Sequence, residues 1–213
     1  MPGSMKYLSA RFAALLLGLL LPIAASAHPA VKISYWMDFR LDSSGLAGIE
    51  ETWRFDAKHS EQILEMFDAN HNGVIDPSEL PALERGYFDN LARYSFFTTI
   101  VADGEPVAAK VAKDFSAEYR DHRMYYRFFL PLEIPASSRT REVDVTVWDP
   151  TYFTDMEPGD EAAVTVHKPR DITARIYSAN DHRHFYNIAP DVRLIKKPPF
   201  YLQMQVLEFG RTP

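Results

Sequence analysis

Alternating apolar and polar residues dominate the chain after residue 30 and predict a β-rich fold. The run Val31–Leu41 has an apolar side chain at every second position, a period typical of a half-buried strand. A turn at Ser43–Gly45 and a second run that ends at Phe55 predict a long hairpin. Further short runs follow, separated by turn residues such as Asp103-Gly104. About eight to ten short strands are expected, which favours an antiparallel β-sandwich.

The hydrophobic period becomes helical between residues 58 and 93. One short amphipathic helix is predicted around Ile63–Phe67, and a second from Leu80 to Leu91 with Pro81 near its start. We therefore predict a mainly β, sandwich-like domain over residues 28–180, with an EF-hand-like helix–loop–helix insertion at about 58–93. Residues 181–213 form a C-terminal tail whose pattern predicts no particular structure.

The first 27 residues have the layout of a secretory signal peptide. Lys6 and Arg11 precede the apolar run Phe12–Ile23, and Ala25-Ser26-Ala27 matches a cleavage site. The apolar run is shorter than a membrane-spanning helix requires. We therefore expect a mature chain that begins at His28, has no membrane span and is located in the periplasm.

Charge and cysteine content exclude several classes of function. The chain has 23 basic and 29 acidic residues and a net charge of −6, which argues against nucleic acid as a partner. Cysteine is absent, so thiolate zinc sites and cysteine nucleophiles are excluded. No sequence motif of a hydrolase, metalloprotease or nucleotide-binding loop occurs. A non-enzymatic protein is expected.

The segment Asp68–Glu79 has the residue spacing of an EF-hand calcium loop. Calcium prefers several oxygen ligands, which such a loop supplies from alternating positions. Gly73 occupies the position of the sharp turn, and Ile75 would fix the loop to the core. The predicted calcium ligands are five side chains and one backbone carbonyl, that of Val74: Asp68, Asn70, Asn72, Val74, Asp76 and Glu79.

A helix cap is the alternative interpretation of part of this loop. Asp76-Pro77-Ser78-Glu79 is a good N-terminal cap without any metal, but it leaves the spacing of Asp68 to Gly73 unexplained. With three formal carboxylates, the expected calcium affinity is about 10⁻⁵–10⁻³ M. A single weak loop beside a β-domain is expected to be structural rather than a sensor.

Several segments resemble the bacterial periplasmic family of unknown function 1007, described as the periplasmic component of an ABC-type transport system. They are Ala27–Pro29, Thr52–Asp56, the loop Asp68–Glu79, Tyr94–Thr98 with the following Asp103-Gly104, and Trp148–Phe153. Members occur beside nickel, cobalt or zinc transporters. The resemblance implies an accessory role in divalent-metal handling, with a membrane metal transporter or another envelope protein as partner. It implies no catalytic residue.

The mature N-terminus offers an alternative function. The α-amine and imidazole of His28 could chelate copper as a bidentate pair, which would suit a copper-binding redox enzyme or a copper carrier. Nickel or zinc could use the same donors. Pro29 removes the second amide N–H, and Ala30 is not a second histidine. The remaining histidines show no ligand spacing, so the leading prediction stays a calcium-binding accessory protein.

Overall fold

Strands make up most of the structure, a computed structural model that describes residues 30–151, 153–160, 162–179 and 203–212. The predicted signal peptide over residues 1–27 and the predicted ligand His28 therefore lie outside the described residues. The strands are β1 (Val31–Asp42), β2 (Gly45–Phe55), β3 (Thr98–Ala102), β4 (Glu105–Val107), β5 (Lys113–Arg120), β6 (Arg123–Pro135), β7 (Arg141–Val147), β8 (Thr154–Pro158), β9 (Val164–His167), β10 (Ile172–Ala179) and β11 (Met204–Arg211).

The first sheet has the strand order β5-β6-β2-β1-β8, and β9 also pairs with β1. The predicted β1–β2 hairpin is confirmed, with Ile33 opposite Phe55. The pairing of β1 with both β8 and β9 is parallel, so the sheet is mixed rather than purely antiparallel. Sequence periodicity does not report strand direction, because both kinds of pairing use the same period of two.

The second sheet is antiparallel and has the strand order β10-β11-β7-β3-β4. Strand β11 lies between β10 and β7, with Leu207 opposite both Ile176 and Val143. This strand belongs to the segment 181–213, for which no structure was predicted. Residues 180–202 and 213 lie outside the described residues.

Helical structure is confined to the region between β2 and β3 in the described part of the chain. It comprises α1 (Ala57–Phe67), the single turn α2 (Leu80–Leu83), a π-helical turn at Glu84–Phe88 and a 3₁₀ segment at Asp89–Phe97. The prediction of a second regular helix from Leu80 to Leu91 is therefore wrong, and the two regular helices of an EF-hand are not shown. Phe88 is buried, and its ring stacks on Phe115 with centroids 4.1 Å apart.

Both sheets contribute to one cluster of buried hydrophobic side chains. Trp53 from the first sheet is fully buried, and its ring stacks on Phe97 with centroids 6.0 Å apart. Val145 and Leu207 from the second sheet are also fully buried. Among the described residues there is no helix with the length and apolar character needed to cross a bilayer.

Candidate metal-binding loop

The candidate loop Asp68–Glu79 connects the end of α1 to α2. Helix α1 begins after Asp56, whose Oδ1 accepts a hydrogen bond from His59 N at 3.0 Å. At the other end, Asp68 N donates to Leu64 O at 2.8 Å. The first predicted calcium ligand is therefore held by the last helical turn.

The carboxylates at the two ends of the loop are buried. Asp68 is 5% exposed and Glu79 is 7% exposed. The Asp68 carboxylate accepts hydrogen bonds from Asn72 N at 3.1 Å and Gly73 N at 2.8 Å. The Glu79 carboxylate accepts from Ala69 N at 2.8 Å. The carboxylate at each end of the loop is thus hydrogen-bonded to backbone amides elsewhere in the loop.

The three other predicted side-chain ligands contact one another. Asn70 Nδ2 and Asn72 Nδ2 donate to Asp76 Oδ2 at 2.7 and 2.9 Å. Asn70 Oδ1 accepts from Asn72 N, and Asn72 Oδ1 accepts from Val74 N, both at 3.0 Å. The structure therefore brings the five predicted side chains into one hydrogen-bonded loop. Their oxygen atoms are ligands that suit a hard cation. Rotating each asparagine amide would turn its oxygen, in place of its nitrogen, toward Asp76.

The backbone of the loop agrees with the residue types at its sharp turn. Gly73 has a φ of +85°, and a Cβ there would meet no atom within 4 Å. The left-handed conformation, rather than crowding, therefore favours glycine. The side chain of Val74 is exposed, so its predicted role rests on its backbone carbonyl alone. Ile75 packs against the core, as predicted.

The histidines that the structure describes do not assemble into a metal site. In the described ranges, no group of three or more His, Cys, Asp or Glu side chains is arranged to hold a metal ion. The candidate calcium loop would also use asparagine side-chain oxygens and a backbone oxygen as ligands, and these are not counted in a group of His, Cys, Asp or Glu side chains. His167 Nε2 lies 3.1 Å from Asp38 Oδ2, whereas His59 hydrogen-bonds to the Tyr87 hydroxyl. The predicted His28 ligand lies outside the described residues.

The Asp149–Phe153 segment contains a buried charge that sequence reasoning missed. The segment forms a turn, in which Asp149 Oδ1 accepts hydrogen bonds from Thr151 N at 2.8 Å and from Thr151 Oγ1 at 2.7 Å. Asp149 is nevertheless only 4% exposed. The Asp-Pro-Thr pattern predicts the turn. It does not predict the burial, which depends on elements distant in sequence.

Comparison with known proteins places the chain in a family. The family model described as protein of unknown function (DUF1007) matches residues 13–190. The chain belongs to the DUF1007 family. The match includes β1, β2 and the candidate loop of this DUF1007 chain, and it ends before β11.

One relative gives a second point of comparison. An uncharacterized 15.5 kDa protein in the trpE 3' region of Spirochaeta aurantia is 39% identical to this DUF1007 chain over 89 residues. The alignment covers 42% of the chain and 63% of that relative, so it spans less than two thirds of the relative's length.

Proposed function

We propose that this protein is a non-enzymatic, periplasmic calcium-binding accessory protein whose loop Asp68–Glu79 holds Ca²⁺ in the manner of an EF-hand. The supporting observation is that the five predicted side-chain ligands share one hydrogen-bonded loop. Ca²⁺ would replace amide donors around Asp76 and complete the oxygen-rich site. The site would be a structural one, set beside a β-sandwich formed by the two sheets.

A role in divalent-metal transport or handling is the broader part of the proposal. Its support is membership of the DUF1007 family together with the signal-peptide pattern of residues 1–27. The partner would be a membrane metal transporter or another envelope protein. Co-purification of the transporter with the tagged chain would support this role, whereas an envelope preparation that contains the transporter but yields no complex would contradict it.

Thermal unfolding with and without Ca²⁺ tests the calcium site. A ligand that binds only the folded state stabilises it by about 1.4 kcal/mol at ten times its Kd. We expect millimolar Ca²⁺ to raise the melting temperature by about 2–8 °C and Mg²⁺ to raise it less. Glu79→Gln should abolish most of the Ca²⁺ shift, because it removes the carboxylate that would bind with both oxygens.

The control for this measurement is Glu65→Gln. Glu65 is exposed on α1, outside the loop, so this variant makes the same chemical change and should keep the full Ca²⁺ shift. Equal Ca²⁺ shifts in the wild type and Glu79→Gln would contradict the proposed site.

A further inference from the structure

An aromatic cavity lies beside the helical region and away from the side chains of the calcium loop. Its volume is about 230 Å³. Val31 and Ile33 of β1 line one side, and Leu91 of the 3₁₀ segment lines another. Six aromatic side chains line the cavity: Trp53, Phe55, Tyr87, Tyr94, Phe97 and Phe153.

Unusual backbone geometry brings several of these rings to the cavity. Tyr87 lies on the π-helical turn, a kind of element that is rare and frequent at functional sites. Ser95, Phe96 and Phe97 follow one another with φ values of 50°, 52° and 57°. Such left-handed residues cost about 1–2 kcal/mol each when they are not glycine. Between Tyr94 and Phe97 the chain therefore adopts a strained turn, and both of these rings line the cavity.

Among the described residues, the cavity lining has one carboxylate, that of Asp149, and this carboxylate has no cationic partner there. Asp149 accepts its three hydrogen bonds from neutral donors, two from Thr151 and one from Thr154 N at 2.9 Å. It takes part in none of the ion pairs formed among the described residues. Buried charges are normally paired with an opposite charge. The lining of the cavity thus carries a negative charge that a bound cation would balance.

Within the described ranges, no positively charged side chain competes for that position. The described residues that line the cavity include no lysine or arginine. His59 is the one basic group among them, and burial lowers its pKa, so its imidazole is neutral at pH 7. The electrostatic character of the cavity comes from six aromatic rings and one carboxylate. Ring faces and a carboxylate both attract positive charge.

We propose that this cavity binds a small organic ammonium ion, with a quaternary ammonium group among the aromatic rings and Asp149 as its counter-ion. Aromatic side chains around a quaternary ammonium are a general mode of recognition. The volume suits a compact head group, because a cavity of about 150 Å³ already holds benzene. A metal ion would require several oxygen ligands, and Asp149 is the one carboxylate among the described lining residues.

Calorimetric titration of the full chain with choline chloride and with its neutral carbon analogue, 3,3-dimethylbutan-1-ol, tests the proposal. The two molecules have nearly the same shape and differ in the positive charge. At matched ionic strength and a fixed Ca²⁺ concentration, we expect choline to bind at least tenfold more tightly. Equal binding of both molecules, or no binding of choline at 10 mM, would overturn the proposal.

Two variants locate the binding in this cavity. Asp149→Asn removes the charge and should weaken choline binding about tenfold while leaving the neutral analogue unaffected. Phe153→Ala removes a ring that is 57% exposed, so the fold should survive, and choline should bind several-fold more weakly. Tyr177→Ala is the matched control, an exposed aromatic residue on β10 outside the lining, and should bind choline like the wild type.

The decision does not depend on a single variant. If Asp149→Asn fails to fold, two measurements still test the proposal. They are the choline affinity of Phe153→Ala and the affinity of the wild type for the neutral analogue. Unchanged choline affinity in Phe153→Ala, with a wild-type melting temperature, would overturn the assignment to this cavity.

Discussion

Glu51 is a carboxyl group in the interior of the molecule. It is fully buried, and its two oxygens accept hydrogen bonds from Trp53 Nε1 and Thr98 Oγ1, both at 2.7 Å. Burial raises the pKa of Glu51 from its ordinary value of 4.5 to about 7. The folded protein therefore retains this proton in a pH range in which the unfolded chain has lost it.

Because the pKa of Glu51 differs between the folded and the unfolded state, the free energy of unfolding depends on pH. The contribution of protonated Glu51 is fully present below about pH 4.5 and is lost as the pH rises to about 7. Glu51→Gln should remove this loss, so its free energy of unfolding should fall less between pH 4.5 and 8 than that of the wild type. The expected difference is about 3 kcal/mol. Urea unfolding at the two pH values measures it.

The matched control for this prediction is Glu133→Gln. Glu133 is exposed on β6, so its replacement should preserve the wild-type pH dependence. Parallel stability curves for the wild type and Glu51→Gln would show that the buried carboxyl does not govern the response.

Sites formed by residues close together in sequence could be predicted, whereas contacts between residues distant in sequence could not. The candidate ligands from Asp68 to Glu79 could be predicted because all of them belong to one short loop. Alternation places Glu50 and Glu51 on opposite faces of β2, so the sequence predicts that they differ in burial. It does not predict which of the two is buried. The partner of Glu51, Thr98, follows 47 residues later, so their hydrogen bond could not be predicted.

At the scale of elements, α1 is firmly attached to the first sheet. Ser60 Oγ accepts a hydrogen bond from Met124 N of β6 at 2.8 Å and donates to Asp56 O at 2.6 Å. Ile63 on the same helix is 1% exposed. Moving α1 would expose this apolar surface at about 25 cal/mol per Å². A weak calcium loop does not supply enough binding energy for a large opening.

Hydrogen exchange should therefore show a local response to Ca²⁺. We expect amide exchange to slow within Asp68–Glu79 and to change little in β1, because binding orders the loop while α1 stays in place. Exchange mass spectrometry with and without Ca²⁺ measures this. Faster exchange over Leu80–Leu91 with Ca²⁺-dependent binding of a hydrophobic dye would instead indicate a switch.

The elements that could not be predicted are those set by packing. The position of α1 followed from its apolar period, but the π-helical turn at Glu84–Phe88, which places Phe88 in the core, has no such local signal. Strand β3 begins only at Thr98, because the three preceding residues have positive φ. No residue in this turn is a glycine, so its sequence carries no signal for a left-handed backbone.

At the scale of the whole molecule, export is the prediction that most directly tests the proposed location. A chain expressed with its N-terminus intact should be recovered from the periplasmic fraction with the mass of a protein that begins at His28. Intact-mass analysis of the fractionated cells measures this. Ala27→Asp should block cleavage after residue 27, whereas Ala30→Asp, three residues downstream, serves as the control. A full-length chain found only in the cytoplasm would contradict export.

The internal position of β11 determines when the second sheet can be completed. Residues 204–211 separate β10 from β7, so until this segment has been synthesised β7 can pair with β3 alone and β10 lacks its partner strand. β1 can pair with its neighbour β2 early, but its pairing with β8 and β9 waits for residues that lie more than 110 positions downstream. Contacts so distant in sequence form slowly. Both sheets are therefore completed late, well after the local β1–β2 hairpin can form.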